Sequence, residues 1–424
     1  MTLSAYCRHF AVILLLASQN LSAAEIDPAR ITFDNTRDRI YQIRVMDISA
    51  NTRSSTGSGF LIGDNGSIAT NYHVIASAIS SPDKYRIEIL QEDEVMRYIG
   101  TIVHVDVVHD LAILSTEIKA TDFLTLATQA PAKGDRVYSI GYPYDLGVTV
   151  VPGTYNGLIP HSASPRVHFT GSLNPGMSGG PAFNGDNEVI GVNVATSGNQ
   201  VSFLVPVHNL HDLVTEATTS PPKDLNRAIA EQLAANSERM ITEMLEGNWE
   251  TVTLGGANAL NEVTGFLRCW GNSRDEDKAT DDRPFWAQRM CQTDHNIFVN
   301  RGFNTGKIEL QFYWIESATL NGAQFYNYYE SIFSGYRPGN SGREQDLGNW
   351  ACQEGFVDND ASMNTKSVFC ARAYKEFEGI YDILFLQGSM DDKTEAHMIH
   401  FTLAGTTQDL AMRFTRRFME AGAW

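Results

Sequence analysis

Three short segments bring together the side chains that nucleophilic chemistry needs. Gly57-Ser58-Gly59-Phe60-Leu61-Ile62 leads through a Gly63-Asp64-Asn65-Gly66 turn into Ala69-Thr70-Asn71-Tyr72-His73-Val74. His109-Asp110-Leu111-Ala112-Ile113-Leu114 follows, and then Asn174-Pro175-Gly176-Met177-Ser178-Gly179-Gly180-Pro181. An imidazole, a carboxylate and a hydroxyl are the parts of an acyl-transfer site: a hydroxyl made nucleophilic by a base, an acid that fixes the base's tautomer, and donors aimed at the developing oxyanion. In that reading Ser178 attacks a carbonyl, His73 takes its proton and later gives it to the leaving group, and Asp110 holds the imidazole. The oxyanion donors are the N–H groups of Gly176 and Ser178, with Gly176 permitting the turn that aims them and Gly179 and Gly180 leaving room for the bound carbonyl.

The segments differ in weight. A single histidine after polar residues is usually structural, and Asp-Leu-Ala-Ile-Leu reads equally as a strand that begins with aspartate. Gly-x-Ser-Gly-Gly-Pro is more specific, because three glycines and a proline around one serine are costly unless the backbone must turn in a special way.

The elements that must position these groups read mainly as strands. Between about Arg30 and Leu213, short apolar runs alternate with Gly, Pro, Asn and Asp: Tyr41-Val45, Gly59-Ile62, Arg86-Leu90, Ile99-Val105, Leu111-Leu114, Val137-Ile140, Val167-Thr170, Val189-Val194 and Val201-Val205. So many strands with so little helix suggest a barrel or sandwich. After Ser220-Pro221-Pro222, which suits a helix cap and first turn, Leu225, Ile229, Leu233, Met240, Ile241 and Met244 recur at helical spacing. This predicts one amphipathic helix bridging two domains. The remainder, Trp249 to Trp424, has strand-like runs, a closing helix with Leu410, Phe414 and Phe418 on one face, and an aromatic run Phe325-Tyr326-Asn327-Tyr328-Tyr329 that reads as core packing, as on a half-buried strand, rather than as a ligand platform. The expected organisation is residues 1–24 as a leader, 30–217 as the domain with the three segments, 218–247 as a linker helix and 248–424 as an accessory α+β domain.

The leader rests on Arg8 and His9, eight apolar residues from Phe10 to Ala17, and Ser22-Ala23-Ala24 before Glu25, the pattern of a cleavable export signal too short to span a bilayer. The mature chain is therefore expected to begin near Glu25, to keep no membrane span, and to work in a periplasm or outside the cell. Cys7 leaves with the leader, and Cys269, Cys291, Cys352 and Cys370 remain. An even number in an exported chain predicts two disulfides, the smallest loops being closed by Cys269–Cys291 and Cys352–Cys370. The 424 residues carry 32 Lys+Arg against 50 Asp+Glu, a net charge of −18, which argues against nucleic acid as a partner. His104, His109, His161 and His168 lack metal-ligand spacing, so no metal or cofactor is expected.

The three segments resemble those of chymotrypsin-fold (trypsin-like) serine proteases, and most nearly the bacterial HtrA/Deg-like branch, over roughly residues 35 to 210. The resemblance implies a mainly β fold of two six-stranded antiparallel β-barrels with the site in the cleft between them, and His73, Asp110 and Ser178 as the triad of an endopeptidase acting on proteins or peptides. Thr170, Gly171, Ser172, Val192, Asn193 and Val194 then become the walls of the side-chain pocket. No carboxylate stands among them, so a small or medium apolar side chain is expected rather than Lys or Arg. Two features depart from the branch. Met177 replaces the usual asparagine before the nucleophile, which implies a changed leaving-side subsite, and no peptide-binding PDZ domain is evident after residue 220. A catalytically silent, protease-like binding protein acting through its C-terminal domain is the reading from another class.

Overall fold

The computed structural model describes residues 27–421 apart from 93–95, 120, 275–283, 295, 359–363 and 391. The expected leader and Glu25 lie outside the described residues. A short helix α1 (Pro28–Thr36) precedes two closed barrels. The first consists of β1 (Ile40–Asp47), β2 (Thr52–Leu61), β3 (Ile68–Thr70), β4 (Tyr85–Leu90), β5 (Arg97–Asp106) and β6 (Leu111–Ser115), with helix α2 (Tyr72–Ser80) between β3 and β4. The second consists of β7 (Arg136–Gly141), β8 (Thr149–Leu158), β9 (Val167–Phe169), β10 (Pro181–Phe183), β11 (Val189–Thr196) and β12 (Ser202–Pro206). Both close in the same antiparallel order, each first strand pairing with the second and the fourth. Closure leaves no unpaired sheet edge, and alternation turns Ile43, Val45 and Ile89 into the first barrel and Val137, Phe169 and Leu204 into the second.

Helix α3 (Val207–Thr219) covers the barrels and ends at Ser220, whose N–H donates to Glu216 O. Ser220 therefore caps no following helix. The bridging helix α4 (Leu225–Leu245) is instead capped by Asp224, whose carboxylate accepts from Arg227 N at 3.1 Å.

Beyond α4 lie two hairpins and a seven-stranded antiparallel sheet. The hairpins are β13 (Thr251–Leu254) with β14 (Ala257–Leu260), and β17 (Ile297–Asn300) with β18 (Phe303–Thr305). The sheet runs β15 (Arg268–Ser273), β16 (Phe285–Gln292), β19 (Ile308–Glu316), β23 (Glu395–Thr406), β22 (Tyr381–Ser389), β21 (Asn364–Ala373) and β20 (Ala351–Asp358). Ile399, Phe401 and Leu403 on one face of β23 pack with α4 and with α6 (Gln408–Ala421), whose Phe414 and Phe418 are fully buried. Ala396 and Met398 on the other face meet helix α5 (Gly322–Gly335). The aromatic run Phe325–Tyr329 is thus helical, not a strand: Asn321 and Gln324 form a capping box, and Phe325 and Tyr329, one turn apart, make the buried stripe. Disulfides Cys269–Cys291 and Cys352–Cys370 join directly opposed residues of β15–β16 and β20–β21.

The largest apolar cluster crosses the expected domain limits. It includes Ile43 and Val45 of the first barrel, Tyr72, Val74 and Ile75 of α2, Ile229 and Leu233 of α4, and Ile297, Val299 and Phe303 of the β17–β18 hairpin. Among the described residues, no helix is long and apolar enough to cross a membrane.

Candidate active site

His73 stands in the first turn of α2, where backbone N–H groups lack helical acceptors and anions are favoured. Asp110, in the turn before β6, supplies that anion. Its carboxylate accepts from His73 N at 2.8 Å through Oδ1 and lies 2.6 Å from His73 Nδ1 through Oδ2, placing the imidazole proton on Nδ1. Its backbone carbonyl accepts from Asn71 Nδ2 at 2.7 Å and Tyr72 N at 3.3 Å. Asp110 takes a left-handed φ of 60°, a conformation that short polar side chains tolerate best, and these four bonds hold it there. Burial pulls the His73 pKa down, but the charge of Asp110 and its hydrogen bond outweigh burial and leave it above the ordinary histidine value; Arg166 opposes them.

The turn carrying Ser178 is pinned to both barrels. Ser58, fully buried on β2, donates its N–H to Ser178 O at 2.7 Å and its hydroxyl to Gly176 O at 2.7 Å, while Tyr142 N donates to that hydroxyl at 2.9 Å. From the other side Asn193 N donates to Gly180 O and Asn193 O accepts from Gly179 N, each at 2.9 Å. The Pro175 carbonyl accepts from Tyr144 N at 3.0 Å, so the Gly176 N–H across the same planar trans peptide points the opposite way. The Met177 carbonyl accepts from Gly180 N and Asn193 Nδ2, and the Ser178 N–H is likewise turned away from it. Among the described residues neither Gly176 N–H nor Ser178 N–H has an acceptor. Gly176 holds a φ of +100°, and a side chain there would run into Tyr142 O.

Some sequence expectations change here. A side chain at Gly179 would strike Ser58 O and Thr70 Oγ1, and one at Gly180 would strike Ile140 O, so these glycines serve the docking of the turn on the barrels rather than room for a carbonyl. Met177 is fully buried in the second barrel's core with Val137, Phe169 and Leu173. Val192 and Val194 are likewise turned into an apolar cluster, and the Asn193 side chain accepts from Ser139 Oγ and donates to Ile140 O and Met177 O. Thr170 is tied to Thr154, Gly171 is closed in by the Phe169 ring, and Ser172 is exposed. The structure also brings in residues that sequence reasoning passed over: Ser58, Arg166, whose guanidinium is pulled down by burial against the charges of Asp110 and Asp294, and Phe298 of β17, whose ring stands edge-on to His73 with centroids 6.0 Å apart. His109 pairs with Asp106 at 2.6 Å within one turn, a contact local to the β5–β6 connection.

Residues 57–192 match the family described as trypsin-like peptidase domain. This part of the chain is a trypsin-like peptidase domain. The domain is 35% identical over 164 residues to a protein of Marinomonas sp. named "Probable periplasmic serine endoprotease DegP-like", covering 36% of this chain and 34% of that one. It is 29% identical over 210 residues to "Serine protease HTRA3" of Homo sapiens, covering 47% and 46%. The chain thus spans about a third to a half of the length of the curated relatives it matches. A solved structure titled "Crystal structure of Deg5" is 27% identical, covering 46% of this chain and 95% of that one, with a TM-score of 0.40.

Proposed function

We propose that the chain is an exported serine endopeptidase in which His73, Asp110 and Ser178 form the triad and the N–H groups of Gly176 and Ser178 the oxyanion hole. The observation that carries the reading is the pairing of two acceptor-free N–H groups in the Ser178 turn with an imidazole whose Nδ1 is held by Asp110 and whose Nε2 is left for proton transfer. His73 Nε2 takes the Ser178 Oγ proton as that oxygen adds to the substrate carbonyl. The oxyanion is received by the two N–H groups, each contributing about 3–4 kcal/mol to the transition state. Collapse breaks the C–N bond, His73 protonates the departing amine, and water repeats the sequence on the acyl-enzyme. Export is supported by the leader-like N-terminus, the disulfides and the periplasmic relatives. The region after α4 braces the peptidase domain, as its share in the cluster around α2 supports. Incubation of the purified chain with an unfolded protein is expected to yield fragments, with none from Ser178→Ala; wild-type cleavage by Ser178→Ala, or no cleavage by a folded wild type, refutes the assignment.

A further inference from the structure

The C-terminal region reaches the candidate triad through one hairpin. In β17, Ile297 and Val299 are buried with Tyr72, Val74 and Ile75 of α2, and Tyr72 Oη donates to Val299 O at 2.8 Å. The intervening Phe298 packs at the edge of the same cluster, where the strand's register shifts, and its ring reaches His73. Its ring is half-buried, edge-on to the rings of both His73 and Tyr72 with centroid separations of 6.0 and 6.5 Å. A phenyl group beside a partly open imidazole, on a hairpin fixed by buried neighbours, presents an apolar surface at the place where a substrate's flanking residue must pass if His73 is to reach the scissile bond.

We propose that Phe298 is a specificity-determining residue, forming one wall of the substrate cleft beside His73 and selecting a large apolar side chain within two residues of the scissile bond. The proposal rests on the endopeptidase reading above. It makes the C-terminal region part of substrate recognition as well as a brace, and ties the selecting surface to the same strand that steadies α2.

The test compares kcat/KM of the full chain on matched fluorogenic peptides carrying Leu or Ser at each flanking position. Wild type is expected to favour Leu at one position, and Phe298→Ala to lower that Leu/Ser ratio by about tenfold or more, the size of a lost apolar pocket contact. Phe298→Leu should retain the ratio within about threefold. Where the alanine variant does not fold, Phe298→Trp carries the test, with an expected turn toward smaller side chains. An unchanged ratio in a folded Ala or Trp variant overturns the proposal, as does a uniform loss across all peptides, which marks Phe298 as a positioning residue alone. The two levels separate cleanly: a folded wild type that cleaves no peptide and takes no fluorophosphonate at Ser178 refutes the endopeptidase reading and this proposal with it, whereas labelling and cleavage without a Phe298-dependent ratio refute this proposal only.

Discussion

Replacing Ser58 by alanine removes one oxygen that holds the oxyanion turn from behind. The hydroxyl, itself buried, donates to the half-buried Gly176 O and accepts from the buried Tyr142 N, so Ser58→Ala leaves one buried and one half-buried backbone group without that partner. Each costs about 1–3 kcal/mol, and with partial relaxation a net loss of about 2–4 kcal/mol is expected. For a cooperative unit the size of the two barrels this lowers the melting temperature by about 4–16 °C. The freed Gly176 carbonyl also lets the flanking peptides rotate, misaiming the donors at Gly176 and Ser178; loss of one aimed donor costs about 10²–10³ in kcat, and partial misaiming a share of that. Scanning calorimetry and steady-state kinetics on one peptide read both effects, with kcat falling more than KM rises. A variant with wild-type melting temperature and kcat refutes the idea that Ser58 sets the turn.

Other outcomes follow from the same geometry. A general base must be neutral, and His73 is raised above its ordinary value, so kcat/KM is expected to rise with pH through a midpoint above about 6.5; a midpoint below that contradicts the Asp110–His73 coupling. Burial lowers His397 to about 4, and burial with help from Lys307 lowers His400 to about 3. Below about 6.5 the unfolded chain therefore binds protons that the native chain refuses, and stability that is complete above about 6.5 is lost progressively toward pH 4 and below, by up to about 1.4 kcal/mol per pH unit for each histidine. Melting temperatures should show this decline, and it should be shallower in His400→Gln. A chain ending at Thr219 lacks α4 and β17 and uncovers Tyr72, Val74 and Ile75, so it should melt lower and lose peptide cleavage; undiminished activity refutes the bracing role.

What is legible in the sequence is the peptidase domain and most of its strands. The Ser178 turn stands out because three glycines and a proline around one serine are costly unless the backbone turns in a special way, and strands such as β1 and β4 show the alternation of a strand that turns one face into a packed barrel. Helix α2, which carries His73, escaped because Tyr72, Val74, Ile75, Ala76 and Ala78 are buried on nearly every side, leaving no polar face to set a helical period. β8 was hidden by Pro152, Gly153 and Gly157, which read as turns but stand within its ten residues, and β10 is only three residues long. The capping pair Asn321 and Gln324 marks the start of α5 in the sequence, against contiguous aromatics that also suit a strand. Ser58 and Phe298 act through contacts distant in sequence, and no local pattern encodes such contacts.

The central claim is that Ser178 is a nucleophile activated by His73 in a formed oxyanion hole. Treating the folded chain with a fluorophosphonate probe and mapping the adduct by peptide mass spectrometry tests it directly. The account predicts one adduct on Ser178, strongly slowed in His73→Ala and absent in Ser178→Ala. A folded wild-type chain that remains unlabelled, or that is labelled elsewhere and not at Ser178, contradicts it.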